Sequence, residues 1–319
     1  MIYLYILIFI ISFSLLALSS KWLIGSLTSI AQFLGWREFV LSFFIMAFAG
    51  SLPNLFIGIS SVLQGIPELS FGEIVGGNIV DLTIAVALAA IISKNGLTIK
   101  SRTVQGTAIF TLVVAILPMI LIHDRLLSRI DGVILLLTFL IYISWLFSKQ
   151  ERFTRVFEES KPLNFRDILK NIGTLFGSLF LIILGAEGII RSSRAFSEAF
   201  DVPVLLIGIL VIGTGNALPE IFFGIQSARK GDDWMVLGGL MGAVISTSSL
   251  VLGIISLLHP IHIDNIGFSL LSVARFFLII SAIFFLLFIR TGNKITRKEG
   301  IFLLFIYIAF VVIQVLVAI

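Results

Sequence analysis

The chain has 319 residues, 58% of them hydrophobic and 13% charged, with a mean hydropathy of +1.14. A soluble domain sits near about 45–50% apolar and 25% charged, so a water-soluble globule is excluded. The formal charge of +4 lies mainly on loop Lys and Arg, which speaks to orientation in a bilayer rather than to nucleic acid, and the absence of Cys excludes disulfides, thiol catalysis and Cys-ligated metal.

The apolar segments are long and continuous, as helices in lipid require, and lack the alternation of a transmembrane β-barrel. Ten spans of about 17–25 residues are expected, making an all-α polytopic membrane protein. In chain order they are Ile2 to Ser19 (reaching toward Phe33 if long and tilted), Phe39 to Leu63, Leu69 to Ile92, Val104 to Ile122 and Ile130 to Phe147. A polar linker follows, and then Ile172 to Ile190, Val202 to Ala228, Trp234 to Leu258, Ser269 to Ile289 and Gly300 to Ile319. The first span has no basic n-region and no clear cleavage pattern before Ser19, so it is expected to be retained. Residues 1–147 and 171–319 form two five-span units, and 148–170 is a solvated connector too short for a folded domain.

Positive charge predicts orientation. The loops after spans one, three, five, seven and nine hold Arg37; Lys94, Lys100 and Arg102; Lys149, Arg152, Arg155, Lys161, Arg166 and Lys170; Arg229 and Lys230; and Arg290, Lys294, Arg297 and Lys298. The opposite loops hold Arg125, Arg129, Arg191 and Arg194. The basic side is expected to be cytoplasmic, which places the linker inside and both termini outside.

The two units match without a gap. Pro53 pairs with Pro219, 166 positions later, and in the same register Leu52, Phe56, Gly58, Ile59 and Ser61 meet Leu218, Phe222, Gly224, Ile225 and Ser227. Gly65, Gly72, Gly76 and Ile79 meet Gly231, Gly238, Gly242 and Ile245. Chance apolar similarity accounts for Leu and Ile matches but not for a proline and several glycines in register. Five spans per unit is odd, so the second unit enters the membrane inverted, as in many secondary transporters. Two such halves can expose one midplane site to either side in turn.

Pro53 and Pro219 each interrupt a span near its middle. Proline removes a backbone donor and frees the carbonyl four residues earlier, and lipid offers that carbonyl no partner, so such breaks line cavities. Around them lie Gly50, Ser51 and Asn54, and Gly215, Asn216, Ala217 and Glu220. The next span of each unit adds Gly72, Glu73, Gly76, Gly77, Asn78 and Asp81, and Gly238, Gly239, Gly242, Ser246, Thr247 and Ser248. Glycines at fourth spacing are read as helix packing. Glu220 is a mid-span carboxylate that packing does not explain, and it is read as functional. Asp81 suits either a site role or a structural hydrogen bond between helices, and Glu73 reads as a helix-start charge. Arg275 is read as a partner for a carboxylate or a snorkelling side chain, and Lys21 and Glu187 as interface residues near span ends. His123, His259 and His262 fall in loops without metal-ligand spacing. No nucleophile–base pair or H-E-x-x-H motif is present, so an enzyme is not expected.

The chain resembles the sodium/calcium exchanger superfamily of cation antiporters. Members carry in each repeat a Gly-Thr-Ser-Leu-Pro-Glu motif and then a Gly-x-x-x-Gly-Ser-Asn motif. Here the first repeat reads Ala49-Gly50-Ser51-Leu52-Pro53-Asn54 and Gly72-Glu73-Ile74-Val75-Gly76-Gly77-Asn78. The second reads Gly215-Asn216-Ala217-Leu218-Pro219-Glu220 and Gly238-Gly239-Leu240-Met241-Gly242-Ala243-Val244. Leu34-Gly35-Trp36 and Phe200-Asp201-Val202 resemble the family lead-ins. The resemblance implies an antiporter with alternating access, and Glu220 occupies the position of one motif glutamate. The other position holds Asn54, and Val244 stands opposite Asn78.

The ion site implied is Glu220 as the central carboxylate, with Asn54, Asn78, Asn216 and Ser51 as neutral oxygens and Asp81 as an auxiliary carboxylate. Ca2+ takes six to eight oxygens, several of them carboxylate. Without Asp81 the set favours a monovalent ion or a proton. Two alternatives stay open: an H+- or Na+-coupled monovalent exchanger without Ca2+ transport, and a non-transporting ion-binding relative. No resident cofactor is expected. The partners are the bilayer and small cations (Ca2+, Na+ or H+) bound transiently, and a prokaryotic cell membrane suits the compact plan.

Overall fold

The computed structural model describes residues 2–33, 50–99, 102–148 and 165–318. Ten helices follow in order: α1 (Ile2–Phe33), α2 (Leu52–Leu63), α3 (Pro67–Ile92), α4 (Arg102–Leu121), α5 (Arg129–Ser148), α6 (Phe165–Phe200), α7 (Val204–Lys230), α8 (Asp233–Leu258), α9 (Asn265–Thr291) and α10 (Arg297–Ala318). Among the described residues, all but α2 are long and apolar enough to cross a membrane. The first half of the second span, the lead-in Leu34-Gly35-Trp36, Ala49 and linker residues 149–164 lie outside the described residues. Helix α6 begins at Phe165, inside the segment expected to be linker. Helix α1 reaches Phe33, the longer of its expected ends, and α6 runs well past its own, so Lys21 and Glu187 sit within helices rather than near their termini. Lys21 is exposed, and Glu187 accepts from Ser60 at 2.6 Å and from Arg191 at 2.7 Å.

Local chemistry fixes where the helices begin and end. Pro67 and Pro219 stand in first turns, where their missing donor costs nothing. Helix α5 starts on a reciprocal Ser128–Asp131 pair and α10 on Thr296–Glu299, both capping boxes in form. Helices α2 and α7 end on Gly65 (φ 73°) and Gly231 (φ 78°), equivalent positions in the left-handed region that suits glycine. The closing bonds also match: Ile66 N donates to Ser61 O (2.9 Å) and Asp232 N to Ser227 O (3.0 Å).

The inversion is visible in two small clasps. Strand β1 (Leu97–Thr98) pairs antiparallel with β4 (Lys294–Ile295), and β2 (Leu126–Leu127) with β3 (Ile261–His262). Each clasp joins one repeat to the other, at opposite ends of the bundle. At the first end Thr98 N also bonds Asp233 (3.0 Å), and Arg297 bonds the carbonyls of Ser93 and Lys94. Three of the basic loops therefore share one end. At the other end Arg125 bonds Asn265, and Asp264 caps α9 through Gly267 N.

Helices α3 and α8 form the centre: 78% of the apolar stretch of each is buried, against 17% for α1 and 22% for α10. Helix α1 packs along α6 at the periphery, and α4 packs on α9. The approach of α3 to the first half of α7 needs glycine on both sides. A Cβ on Gly76 would collide with the Ile209 carbonyl, and one on Gly72 would stand 2.5 Å from the Leu205 carbonyl. From the other side, a Cβ on Gly213 would stand 2.6 Å from Gly77 N. The packing role expected for Gly72 and Gly76 is met here. Phe39 and Phe43, the equivalents of Leu205 and Ile209, lie outside the described residues, and with them the packing expected of Gly238 and Gly242.

Candidate functional site

The site is built where the two proline breaks face the two central helices. Ser51 precedes Leu52–Leu63 with φ −87° and ψ −8°, and its repeat equivalent Ala217 precedes Leu218–Lys230 with φ −80° and ψ −5°. Both hold a flattened turn one residue before the following helix, which has proline at its second position. Pro219 has no N–H to give the Gly215 carbonyl. Helices α3, α7 and α8 each contain a π-helical segment nearby: Asp81–Ala85, Gly208–Ile212 and Ser246–Val251. Such segments widen a helix locally and are frequent at functional sites.

Between these elements is a cavity of about 20 Å³, space for a water-sized species. Ser51 and Asn54 reach it from α2 and its preceding turn; Glu73, Asn78 and Asp81 from α3; Asn216 and Glu220 from α7; and Thr247 from α8. The structure thus brings together all six residues expected from the sequence: Glu220, Asn54, Asn78, Asp81, Ser51 and Asn216.

The polar groups bond in three sets. Asn216 Nδ2 donates to Asn54 Oδ1 (2.5 Å) and to Glu73 Oε1 (2.6 Å). Asn78 donates from Nδ2 to Ser248 Oγ (2.7 Å) and accepts at Oδ1 from Thr247 Oγ1 (2.9 Å). Ser51 and Ser246 share a hydroxyl bond of 2.5 Å. The second repeat therefore answers Asn78 with hydroxyls, although Val244 at the equivalent position has no ligand atom.

Each carboxylate keeps one oxygen outside these bonds. Glu73 Oε2, Asp81 Oδ1 and Glu220 Oε2 are buried and have no hydrogen-bond partner among the described residues. Glu220 lies within electrostatic reach of both Glu73 and Asp81. The acids are spread along the cavity: among the described residues, no three His, Cys, Asp or Glu side chains converge on one point. A spread of anionic and neutral oxygens in low dielectric suits cations and disfavours anions.

Glu73 corrects the sequence expectation. It is not a helix-start charge but a cavity residue with 1% exposure. A helical signal was available, because Glu73, Gly77 and Asp81 follow at i, i+4 and i+8 and so share one face of α3. Arg275 lies 5.3 Å over the Phe268 ring, with Nε and Nη2 buried and unpaired, and forms no ion pair with a carboxylate among the described residues. His123, His259 and His262 lie in the short segments at one end of the bundle, away from the cavity.

Comparison with known proteins places this arrangement. The chain is 27% identical over 345 residues to the sodium/calcium exchanger MaX1 of Methanosarcina acetivorans, covering 96% of this chain and 97% of that one. It is 26% identical over 300 residues to the uncharacterized membrane protein MJ0091 of Methanocaldococcus jannaschii, covering 94% of each. The fold superposes on the sodium-calcium exchanger NCX_Mj, solved after soaking with Na+ and Sr2+, with a TM-score of 0.66 and 26% identity over 98% of this chain and 99% of that one. The profile of the family described as sodium/calcium exchanger protein matches residues 4–148 and 170–316. With nearly the whole chain matched in two segments, the protein belongs to the sodium/calcium exchanger family.

Proposed function

We propose that the protein exchanges Na+ for Ca2+ across a prokaryotic cell membrane by alternating access around the cavity between the proline breaks. The observation that carries this reading is the meeting of Glu220, Asp81 and the amides of Asn54, Asn78 and Asn216 on one buried cavity, at equivalent breaks of two inverted repeats. Glu220 is the central ligand, Asp81 the auxiliary carboxylate, and Ser51 and the amides supply neutral oxygens. The cations are cargo that bind transiently, and the lipid bilayer is the other partner. The Lys- and Arg-rich end faces the cytoplasm, so that 148–170 is inside and both termini are outside. Residues 1–147 and 171–319 act as the two exchanging halves.

Competition of two ions for one site couples their fluxes. The site binds either cargo by exchanging hydration oxygens for protein oxygens, and only the loaded or exchanged state crosses between the two openings. The test is Ca2+ uptake into proteoliposomes driven by an outward Na+ gradient. Uptake that follows the Na+ gradient and not a pH gradient supports the reading. Uptake that follows only the pH gradient, or none at all from folded protein, overturns it.

A further inference from the structure

We infer that Glu73 supplies the first-repeat carboxylate of the ion site, doing from α3 what an acid at position 54 would do from α2. The inference rests on the cation-exchange reading above and adds a ligand to that same site.

The geometry starts from Asn216. Its Nδ2 bonds Asn54 Oδ1 at 2.5 Å and Glu73 Oε1 at 2.6 Å, so one amide nitrogen holds both oxygens. Two atoms bonded to one nitrogen lie no more than about 5 Å apart. Glu73 therefore reaches the space beside Asn54, although it comes from a different helix. The repeat equivalents differ: Asn54 corresponds to Glu220, whereas Glu73 corresponds to Gly239, which has no side chain. One repeat carries its acid on the broken helix, and the other carries it on the next helix.

A structural role leaves half of the side chain unexplained. The bond from Asn216 needs one neutral oxygen, which Gln would provide without burying a charge in a membrane-spanning segment. Glu73 is 1% exposed, and its second oxygen, Oε2, has no partner among the described residues while the side chain lines the cavity. Glu220 Oε2 is unpartnered on the same cavity, and the two carboxylates lie within electrostatic reach. Two buried carboxyl groups facing a water-sized space are what a divalent cation would stabilise in ionised form. Helix α3 can place an acid there because glycines at 72 and 76 bring its backbone against α7, which carries Asn216.

The test compares wild type, Glu73→Gln and the double variant Asn54→Glu/Glu73→Gln in proteoliposomes, reading Na+-gradient-driven Ca2+ uptake. The melting temperature of each protein in detergent, with and without Ca2+, is read alongside. Gln retains an oxygen for Asn216, so the ion-free melting temperature is expected to hold. Ca2+ uptake and Ca2+-induced stabilisation are expected to fall at least about tenfold in apparent affinity, since ligand charge sets divalent affinity. Restoring an acid at position 54 is expected to recover most of the loss, which a merely structural role for Glu73 would not predict. Unchanged uptake in Glu73→Gln, with a working wild type, overturns the inference and leaves the exchange reading standing. A loss that the double variant does not recover also overturns it, reducing Glu73 to a scaffold for Asn216. Failure of wild type to take up Ca2+ overturns the exchange reading itself.

Discussion

Helices α3 and α8 occupy equivalent central positions and are buried to the same extent, and each contains a π-helical segment at matching residues. Their chemistry differs. Where α3 carries Glu73 and Asp81, α8 carries Gly239 and Thr247; where α3 has Asn78, α8 has Val244, with Thr247 and Ser248 one turn later. The breaks before them show the opposite bias, Asn54 in the first repeat against Glu220 in the second. The difference teaches that backbone symmetry and ligand symmetry are separable. Glycine and proline positions set where helices turn and how closely they approach, and these must match for the two halves to interchange. Charge needs only to reach the cavity, so any helix facing it can carry the acid.

The sharpest way to break this comparison is at Glu220, the only acid that the second repeat gives to the cavity among the described residues. Glu220→Gln should reduce gradient-driven Ca2+ uptake to background in proteoliposomes. Uptake near wild type would show that the acids of α3 suffice and that the second repeat needs none. Next is Asp81. Asp81→Asn should weaken Ca2+-induced thermal stabilisation about tenfold in apparent affinity, as expected for one lost charged ligand. Adding Thr247→Asp, which moves the charge to the equivalent position, should recover part of it; no recovery would show that position matters as well as charge.

The packing side of the comparison predicts smaller effects. Gly76→Ala forces a methyl into the Ile209 carbonyl and should destabilise by about 1–3 kcal/mol, read as a lower melting temperature in detergent. An unchanged melting temperature would show that α3 and α7 are not held at this approach. Smallest is Ser248→Ala, which removes one bond to Asn78 and should cost about 1 kcal/mol, measured the same way.

The all-helical membrane plan, its spans and the inverted repeat follow from sequence, because lipid leaves the backbone few choices. A long apolar run must be helical, and an odd number of spans must invert the second copy. The register of Pro53 with Pro219 located the breaks, since proline acts through its own backbone. Glu220 was legible too, because a mid-span carboxylate is costly wherever it points.

Tertiary structure decided the rest. Glu73 sits two turns before Asp81 on one face of α3, but only the contact with α7 shows that this face meets Asn216 and Asn54. The partners of Asn78 are equally long-range, coming from Thr247 and Ser248 on the other repeat. Helix ends near charged residues also escaped a hydropathy reading: α6 starts at Phe165, because a helix continues past the apolar run while its backbone bonds can still be made. A sequence specifies which groups are too polar for lipid. Which of them share a cavity is set by how the helices pack.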